Sequence, residues 1–264
     1  MQTVRLLQPQ TIWFGAGCAL QCADDILDRS LSSVFIITSP ATARLAEPLA
    51  SRLRAGGVRA DIYSAIATEP AVADLESALA AAHAAQPDAV IGFGGGSAMD
   101  VAKLVAALFD GHQKIDEVFG IGKLAGRALF LACLPTTAGT GSEVSPIALL
   151  LDGSDGQKKG VVSPHLVPDG AYVDALLTLS VPAAVTAATG MDALIHCIES
   201  YANRFAHPLV DMYALEGIRL VGASLPTAVA NPNDIAARTN MSRASLLGGL
   251  CLAPVNTAAV HALS

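Results

Sequence analysis

The stretch DAVIGFGGGSAMDVAKLVAAL, Asp88 to Leu108, decides the fold. It opens with an apolar run typical of a buried parallel strand, passes through three glycines and continues in residues that favour a helix. A strand, a turn and a helix in succession predict one unit of a parallel α/β sheet. Glycines let backbone amides approach a phosphate, and a helix start adds partial positive charge. The turn therefore predicts a phosphate site; the alternative is a tight turn in which Ser97 caps the helix and Asp100 completes a capping box.

The same alternation extends on both sides of this unit. VFIITS at Val34 to Ser39 and ALFLACLPTT at Ala128 to Thr137 predict further strands, and GAYVDALLTLS at Gly170 to Ser180 predicts a last extended segment. We expect a doubly wound, mostly parallel sheet in an α/β domain over residues 1–180. Later apolar residues recur at helical spacing, which predicts an all-helical domain over residues 181–264.

Composition narrows the class of protein. The chain has 264 residues, of which 52% are hydrophobic and 15% charged, as expected for a compact fold with a large core. A net charge of -7 without a basic block argues against a nucleic-acid partner. No apolar run reaches the ~20 residues of a membrane span. The first residues show neither an apolar core of signal-peptide length nor a small-residue cleavage site. The scattered cysteines indicate reduced thiols. We expect a cytoplasmic protein without a membrane partner, and a homodimer as the default for such folds.

A second polar loop follows the strand that ends near Leu134. The segment LPTTAGTGSEVSP, Leu134 to Pro146, is dense in hydroxyls and glycines. Open α/β sheets bind ligands at the carboxyl ends of their strands, where both loops are expected to lie. Together they predict one cradle of the size for a dinucleotide or a phosphorylated metabolite.

The segment GMDALIHCIESY places Asp192 and His196 one helical turn apart on the same face. A buried carboxylate without a partner is costly, so the pair requires a metal ion, a mutual hydrogen bond or water. Glu199 lies a further turn along, and we expect it either to orient His196 or to be solvated. His165 and His207 stand beside prolines and are interpreted as surface residues.

Taken together, these motifs resemble the iron-containing (group III) alcohol dehydrogenases. The matching stretches follow the family order: GGGSAMDVAK at 94–103, PTTAGTGSEVSP at 135–146, VPDGAYVDALLT at 167–178, GMDALIHCIESY at 190–201 and VHAL at 260–263. The resemblance implies an N-terminal nucleotide domain, a helical C-terminal domain, and a metal with a nicotinamide cofactor, NAD or NADP, in the cleft between them.

The resemblance also implies roles for individual residues. It assigns the cofactor pyrophosphate to Gly95, Gly96 and Ser97. It assigns the ribose and nicotinamide side to Thr136, Thr137, Thr140 and Ser145, and a ribose hydroxyl to Lys158, with Lys159 as the alternative. It assigns three ligands of a divalent metal, Fe²⁺ or alternatively Zn²⁺, to Asp192, His196 and His261.

Two departures from the family pattern affect the expected chemistry. The family supplies a fourth histidine ligand and a histidine for proton transfer beyond the position of Ser264, so we expect an incomplete helical domain and identify no catalytic proton-transfer residue. Ser39 stands where the family commonly has an aspartate that repels a 2′-phosphate, which favours NADP or use of both cofactors. Glu69, where the family often has asparagine, is expected to restore some repulsion.

The expected activity is that of a metal-dependent oxidoreductase that transfers a hydride between NAD(P) and a small alcohol or aldehyde. A maleylacetate-reductase-like enzyme shares the loops but tends to lack the metal ligands. A lyase of the dehydroquinate-synthase type pairs NAD with a metal through different motifs. A nucleotide-binding protein with a structural role is the non-enzymatic alternative.

Overall fold

The computed structural model describes residues 3–67, 69–152, 156–258 and 260–261. Its strands and α-helices, in chain order, are β1 (Thr11–Phe14), α1 (Gln21–Asp28), β2 (Ser33–Ile37), α2 (Ala43–Ala55), β3 (Arg59–Tyr63), α3 (Val72–Ala85), β4 (Ala89–Gly94), α4 (Gly96–Leu108), α5 (Ile115–Val118), β5 (Gly120–Ile121), β6 (Phe130–Pro135), β7 (Ile147–Leu151), β8 (Lys158–Val162), β9 (Gly170–Val173), α6 (Ala183–Ala202), α7 (Pro208–Ala230) and α8 (Ile235–Leu252). Short 3-10 turns lie at Cys18–Leu20, Ser142–Val144, Pro164–Leu166 and Ala175–Thr178.

A six-stranded parallel sheet forms the N-terminal part, in the order β1-β9-β6-β4-β2-β3. One buried cluster packs α3 and α4 against one face of the sheet, and another packs α1 and α2 against the opposite face. The predicted strands β2, β4 and β6 and the doubly wound arrangement are therefore confirmed. Placing helices on both faces buries the central strands completely, which explains their continuous apolar runs.

Several elements were not predicted from the sequence. The edge strands β1 and β3 were missed, as was a three-stranded sheet in the order β5-β8-β7. β3 and β8 carry charged residues because they are partly exposed, which hides the apolar run on which the prediction relied. The extended segment predicted for Gly170–Ser180 is a strand only to Val173; the Asp174 side chain then accepts a hydrogen bond from Leu176 N and caps a 3-10 turn.

The β4–α4 unit lies at the centre of the sheet. β4 pairs with β2 on one side and with β6 on the other, and all its residues are buried. A β-carbon added to Gly92 would lie 2.9 Å from Met99 Cα. α4 therefore packs directly on the strand, and glycine is required there for that close approach.

From Ala183 onward, the part of the chain that the structure describes contains α6, α7 and α8 and no strand, as predicted. The three helices share a core rich in alanine, and Arg238 of α8 donates to Thr186 Oγ1 at 2.8 Å and to Val181 O at 3.2 Å. These bonds fasten α8 to the start of α6. No helix among the described residues is both long and apolar enough to cross a membrane. The domain boundary at Ser180 stays a prediction.

Candidate active site

The glycine turn begins where β4 ends. α4 starts at Gly96, and Gly95 occupies the cap position without any side-chain hydrogen bond. The predicted capping box is wrong, because Ser97 lies inside the first turn of the helix. Asp100 instead accepts hydrogen bonds from Ser142 Oγ at 2.6 Å and Leu149 N at 3.0 Å. Asp100 is therefore bonded to the hydroxyl loop through Ser142 and to β7 through Leu149, and not to the start of α4.

The glycine turn and the hydroxyl loop touch each other, as predicted for adjacent strand ends. Thr136 N donates to Gly94 O at 2.9 Å. A β-carbon on Gly96 would lie 2.8 Å from Thr140 Cγ2, and one on Gly95 would lie 3.5 Å from Thr137 Oγ1. The glycines are therefore needed for contact between the two loops, whether or not a phosphate binds there.

Lys103, which the sequence did not single out, connects α4 to the hydroxyl loop. Its side chain is fully buried, and Nζ donates to Ser145 O at 3.0 Å and Ile147 O at 2.8 Å. Burial lowers the pKa of Lys103, while Asp100 Oδ1 at 3.9 Å opposes that shift. A lysine inside the apolar run VAKLVAAL was the signal for a buried, fully bonded cation.

Ser39 follows β2 and is linked to the end of β4 through Thr42. Its Oγ and Thr42 Oγ1 share a hydrogen bond of 2.7 Å, and Thr42 Oγ1 lies 3.8 Å from where a β-carbon on Gly94 would stand.

Glu69, expected near this site, forms an ion pair with Lys158. The Glu69 carboxylate is therefore engaged by the lysine that the resemblance assigned to a ribose hydroxyl. The alternative, Lys159, pairs with Asp152 at 2.5 Å.

A pocket of about 550 Å³ joins the loops to the helices. Among its lining residues are six to which the resemblance gave a cofactor or metal role: Thr140, Ser145, Lys158, Asp192, His196 and His261. The other assigned cofactor residues do not line this pocket: Ser39, Gly95, Gly96, Ser97, Thr136 and Thr137. Asn256 and Thr257 also line it and were not predicted. They follow α8, and their position depends on the path of the chain after that helix, which no local sequence pattern indicates. Another pocket, of about 560 Å³, lies near the amino ends of β1, β6 and β9 and contains none of the residues assigned to the cofactor or the metal.

Asp192, His196 and His261 meet at the end of the first pocket. Each offers one ligand atom, and these atoms lie within 4.8 Å of one another. Asp192 Oδ1 is 3.3 Å from His261 Nε2 and 3.9 Å from His196 Nε2. The two imidazole rings stack with their centroids 4.4 Å apart. Burial lowers the pKa of His196, against an opposing effect of Asp192, and favours the neutral ring.

Glu199 contacts His261 and does not orient His196. Its Oε2 lies 2.6 Å from His261 Nδ1 and accepts from Ala258 N at 2.9 Å. Burial raises the pKa of Glu199, but the hydrogen bonds from Ala258, His261 and Val260 together outweigh it, and the net pKa lies below the usual value. The carboxylate is thus ionised and partnered. The sequence could not reveal this partner, because His261 lies on a different element.

The other two histidines differ in their exposure. His165 is exposed, as expected. His207 is only 7% exposed, so its placement on the surface is wrong; its Nδ1 accepts a hydrogen bond of 3.2 Å from Leu209 N at the start of α7. The ring caps the start of α7. The neighbouring proline had suggested an exposed loop and gave no indication of this role.

The three-residue cluster fits a divalent metal. With the His261 Nδ1 proton directed at Glu199, a neutral ring presents an Nε2 lone pair to Asp192 Oδ1, and two acceptors would then face each other. A cation between them removes that repulsion. Two imidazole nitrogens and one carboxylate oxygen form a donor set suited to Fe²⁺ or Zn²⁺. The VHAL motif that carries His261 is described only at Val260 and His261; its remaining residues lie outside the described part.

Comparison with known proteins agrees with this fold. The family model "Iron-containing alcohol dehydrogenase" matches residues 9–175, and the model of the C-terminal region of the same family matches residues 186–264. The chain therefore belongs to the iron-containing alcohol dehydrogenase family, and the resemblance drawn from its motifs is confirmed.

Individual relatives cover nearly all of this chain. A sulfoacetaldehyde reductase of Bilophila wadsworthia is 37% identical over 251 residues, 94% of this chain and 65% of that protein. A solved structure of 1,3-propanediol oxidoreductase superposes with a TM-score of 0.95 at 29% identity, covering 99% of this chain and 69% of the other. The structure of a sulfoacetaldehyde reductase of Bifidobacterium kashiwanohense in complex with NAD+ superposes with a TM-score of 0.91 at 33% identity. The match covers 99% of this chain and 70% of the other. The chain thus spans about two thirds of the length of its relatives.

Proposed function

We propose that this chain carries the cofactor and metal residues of an NAD(P)-dependent alcohol dehydrogenase or aldehyde reductase. The observation that carries the proposal is the convergence of Asp192, His196 and His261 in a pocket that Thr140 and Ser145 also line. Metal donors and a hydroxyl-rich loop in one cleft suit a reaction in which a small polar substrate meets a bound cofactor.

The cofactor is assigned to the carboxyl ends of β4 and β6, where the glycine turn and the hydroxyl loop lie. Gly95, Gly96 and Ser97 would contact the pyrophosphate through the backbone at the start of α4, where the helix dipole favours an anion. The similarity to a reductase solved with NAD+ supports a nicotinamide dinucleotide. The uncharged Ser39 leaves NADP as an additional or preferred form.

Asp192, His196 and His261 would hold the metal, with Fe²⁺ proposed and Zn²⁺ as the alternative. When bound, metal and nicotinamide would supply Lewis-acid activation of the substrate oxygen and hydride exchange with its carbon. The carboxylate of Asp192 would balance part of the positive charge. Burial lowers the pKa of His196 and so favours the neutral ring, which can present a lone pair to the site.

The alternatives find less support. The presence of all three ligand residues in one cluster disfavours a maleylacetate-reductase-like enzyme, which tends to lack them. The family match favours a dehydrogenase over a lyase of the dehydroquinate-synthase type. Binding of nucleotide without a metal would instead support a structural role.

The test combines metal analysis, cofactor titration and a substrate screen. We expect about one equivalent of iron or zinc per chain after anaerobic reconstitution, and saturable binding of NADH or NADPH by fluorescence. Small alcohols and aldehydes, sulfoacetaldehyde included because of the relatives, form the screen. A chelator should remove metal and turnover while cofactor binding survives. Failure to retain either metal after reconstitution would exclude the proposed site.

A further inference from the structure

The carboxylate of Glu199 is surrounded by donors from the segment that follows α8. Oε1 accepts from Val260 N at 2.5 Å, and Oε2 accepts from Ala258 N at 2.9 Å and lies 2.6 Å from His261 Nδ1. The residue is only 5% exposed. One buried carboxylate thus fixes both the backbone of this segment and the ring of its histidine.

This contact determines which nitrogen of His261 carries the proton. An ionised carboxylate only accepts hydrogen bonds, so the proton of the pair lies on His261 Nδ1. The lone pair of a neutral ring is then on Nε2, the atom that faces Asp192 Oδ1 at 3.3 Å. A histidine can ligate a metal only through an unprotonated nitrogen, and a carboxylate behind the ring also raises the basicity of that nitrogen.

We propose that Glu199 is a positioning residue, which presents Nε2 of His261 to a divalent metal held by Asp192 and His196. The inference rests on the proposed function, because it presupposes that the cluster binds a metal. All three helical residues belong to α6, at positions 192, 196 and 199, so one rigid helix carries two ligands and the group that orients the third. His261 itself comes from a separate segment and needs such a contact to meet them.

Other bonds attach the same segment to α6 and survive the loss of Glu199. Ser200 Oγ donates to Asn256 O at 3.4 Å, and Asn203 Nδ2 donates to Thr257 O at 3.3 Å. A variant at position 199 can therefore keep the segment in place while changing only what the ring of His261 meets. This separates orientation of the ring from attachment of the chain.

The test is Glu199→Gln in the intact protein, with Co²⁺ and Zn²⁺ as probes. In this variant the amide oxygen takes the place of Oε1 and still accepts from Val260 N. The NH₂ group takes the place of Oε2, where it loses the bond from Ala258 N, faces Nδ1 and favours the tautomer with the proton on Nε2. We expect the affinity for Co²⁺ or Zn²⁺, measured by chelator competition, to fall about 10- to 100-fold. Long-range ¹H–¹⁵N spectra of the metal-free protein should show the His261 proton move from Nδ1 to Nε2.

The control is Glu76→Gln, the same change at an exposed position of α3, which should leave metal affinity unaltered. In a His261→Ala background, Glu199→Gln should have no further effect on metal affinity; an equal effect in both backgrounds would refute the proposal even if the single variant folds poorly. A Glu199→Gln protein with reduced thermal stability and unaltered metal affinity would make Glu199 a structural cap only. If the unsubstituted protein binds neither ion, the proposed function fails first.

Discussion

Gly96 and Thr140 stand so close that a β-carbon on the glycine would lie 2.8 Å from the threonine Cγ2 and 3.2 Å from its Oγ1. This contact joins the start of α4 to the hydroxyl loop, the two segments to which we assign the cofactor. A side chain at position 96 would therefore disturb the cradle through its neighbouring loop as well as by blocking access of a phosphate to the backbone.

Gly96→Ala should weaken cofactor binding. Overpacking against Thr140 should cost about 1–3 kcal/mol of folding stability. The added β-carbon would also block the approach of a phosphate to the backbone, so we expect the dissociation constant for NADH or NADPH to rise about tenfold or more. Thr140→Ser removes Cγ2, and the double variant Gly96→Ala with Thr140→Ser should recover part of the loss. Fluorescence titration measures each constant.

Gly222→Ala is the matched control for this pair. Position 222 lies inside α7 with nothing within 4 Å of an added β-carbon, so the change should leave cofactor binding intact and stabilise the helix. Cofactor affinity unchanged in a folded Gly96→Ala protein would remove the glycine turn from the cofactor site.

Ser39→Asp should shift cofactor preference towards NAD. The serine hydroxyl shares a hydrogen bond with Thr42, whose Oγ1 lies 3.8 Å from where a β-carbon on Gly94 would stand. A carboxylate there would repel a 2′-phosphate, lowering the ratio of kcat/KM for NADPH to that for NADH by about tenfold or more. Ser51→Asp, at an exposed position of α2, serves as control. An unaltered ratio would show that position 39 does not contact the adenosine ribose.

The sequence predicted the parts of the fold that depend on local pattern. β4 and α4 were recognisable because an uninterrupted apolar run, a glycine turn and a helical run follow one another within a single unit. The edge strand β3 could not be recognised in this way. It is partly exposed and carries charged residues, which break the apolar pattern. Edge strands satisfy fewer packing constraints, so their sequences carry less information.

The candidate site was predictable where it lies on one helix and less so where segments meet. The spacing of Asp192 and His196 is enough to place both on one face of α6, because residues four apart in a helix are neighbours. Asp100 was misjudged, because its partners Ser142 and Leu149 lie more than forty residues away in sequence and no local pattern reports them. Glu199 was recognised as a residue that could orient a histidine, but the wrong histidine was chosen for the same reason.

His196→Ala should remove most of the bound iron or zinc. The imidazole lies within the three-residue cluster and its loss leaves one nitrogen and one carboxylate donor, too few for tight binding. NADH or NADPH binding should persist, since the assigned cofactor contacts lie on other segments. Elemental analysis beside a thermal melt distinguishes a ligand from a core hydrogen bond, whose loss predicts about 1–3 kcal/mol of destabilisation with metal content unchanged.

His112→Ala provides the comparison, because its side chain is 85% exposed and belongs to none of the proposed contacts. That variant should keep both metal and stability. A His196→Ala protein that melts early yet retains its full metal content would contradict the ligand assignment.

Glu143 makes the stability of the fold depend on pH. The residue is 1% exposed within the Ser142–Val144 turn, and its Oε1 has no hydrogen-bond partner among the described residues. Burial raises the pKa of Glu143 to about 7, although Lys103 opposes that shift. The native state therefore holds a proton on this carboxyl at pH values where the unfolded chain has lost it.

The sign of the effect follows from that difference. Between the unfolded pKa of 4.5 and the folded pKa of about 7, the native state binds more protons, so stability falls as pH rises and levels off above that window. The loss amounts to about 3 kcal/mol at most. Glu143→Gln keeps a neutral side chain at every pH, so urea unfolding at pH 5 and pH 8 should show a smaller decrease in the free energy of unfolding for the variant than for the unsubstituted protein. Glu76→Gln, on exposed α3, should leave the decrease unaltered. If the Glu143→Gln and unsubstituted proteins lose the same stability between the two pH values, Glu143 is ionised in the native state throughout and its burial is compensated by charges such as Lys103.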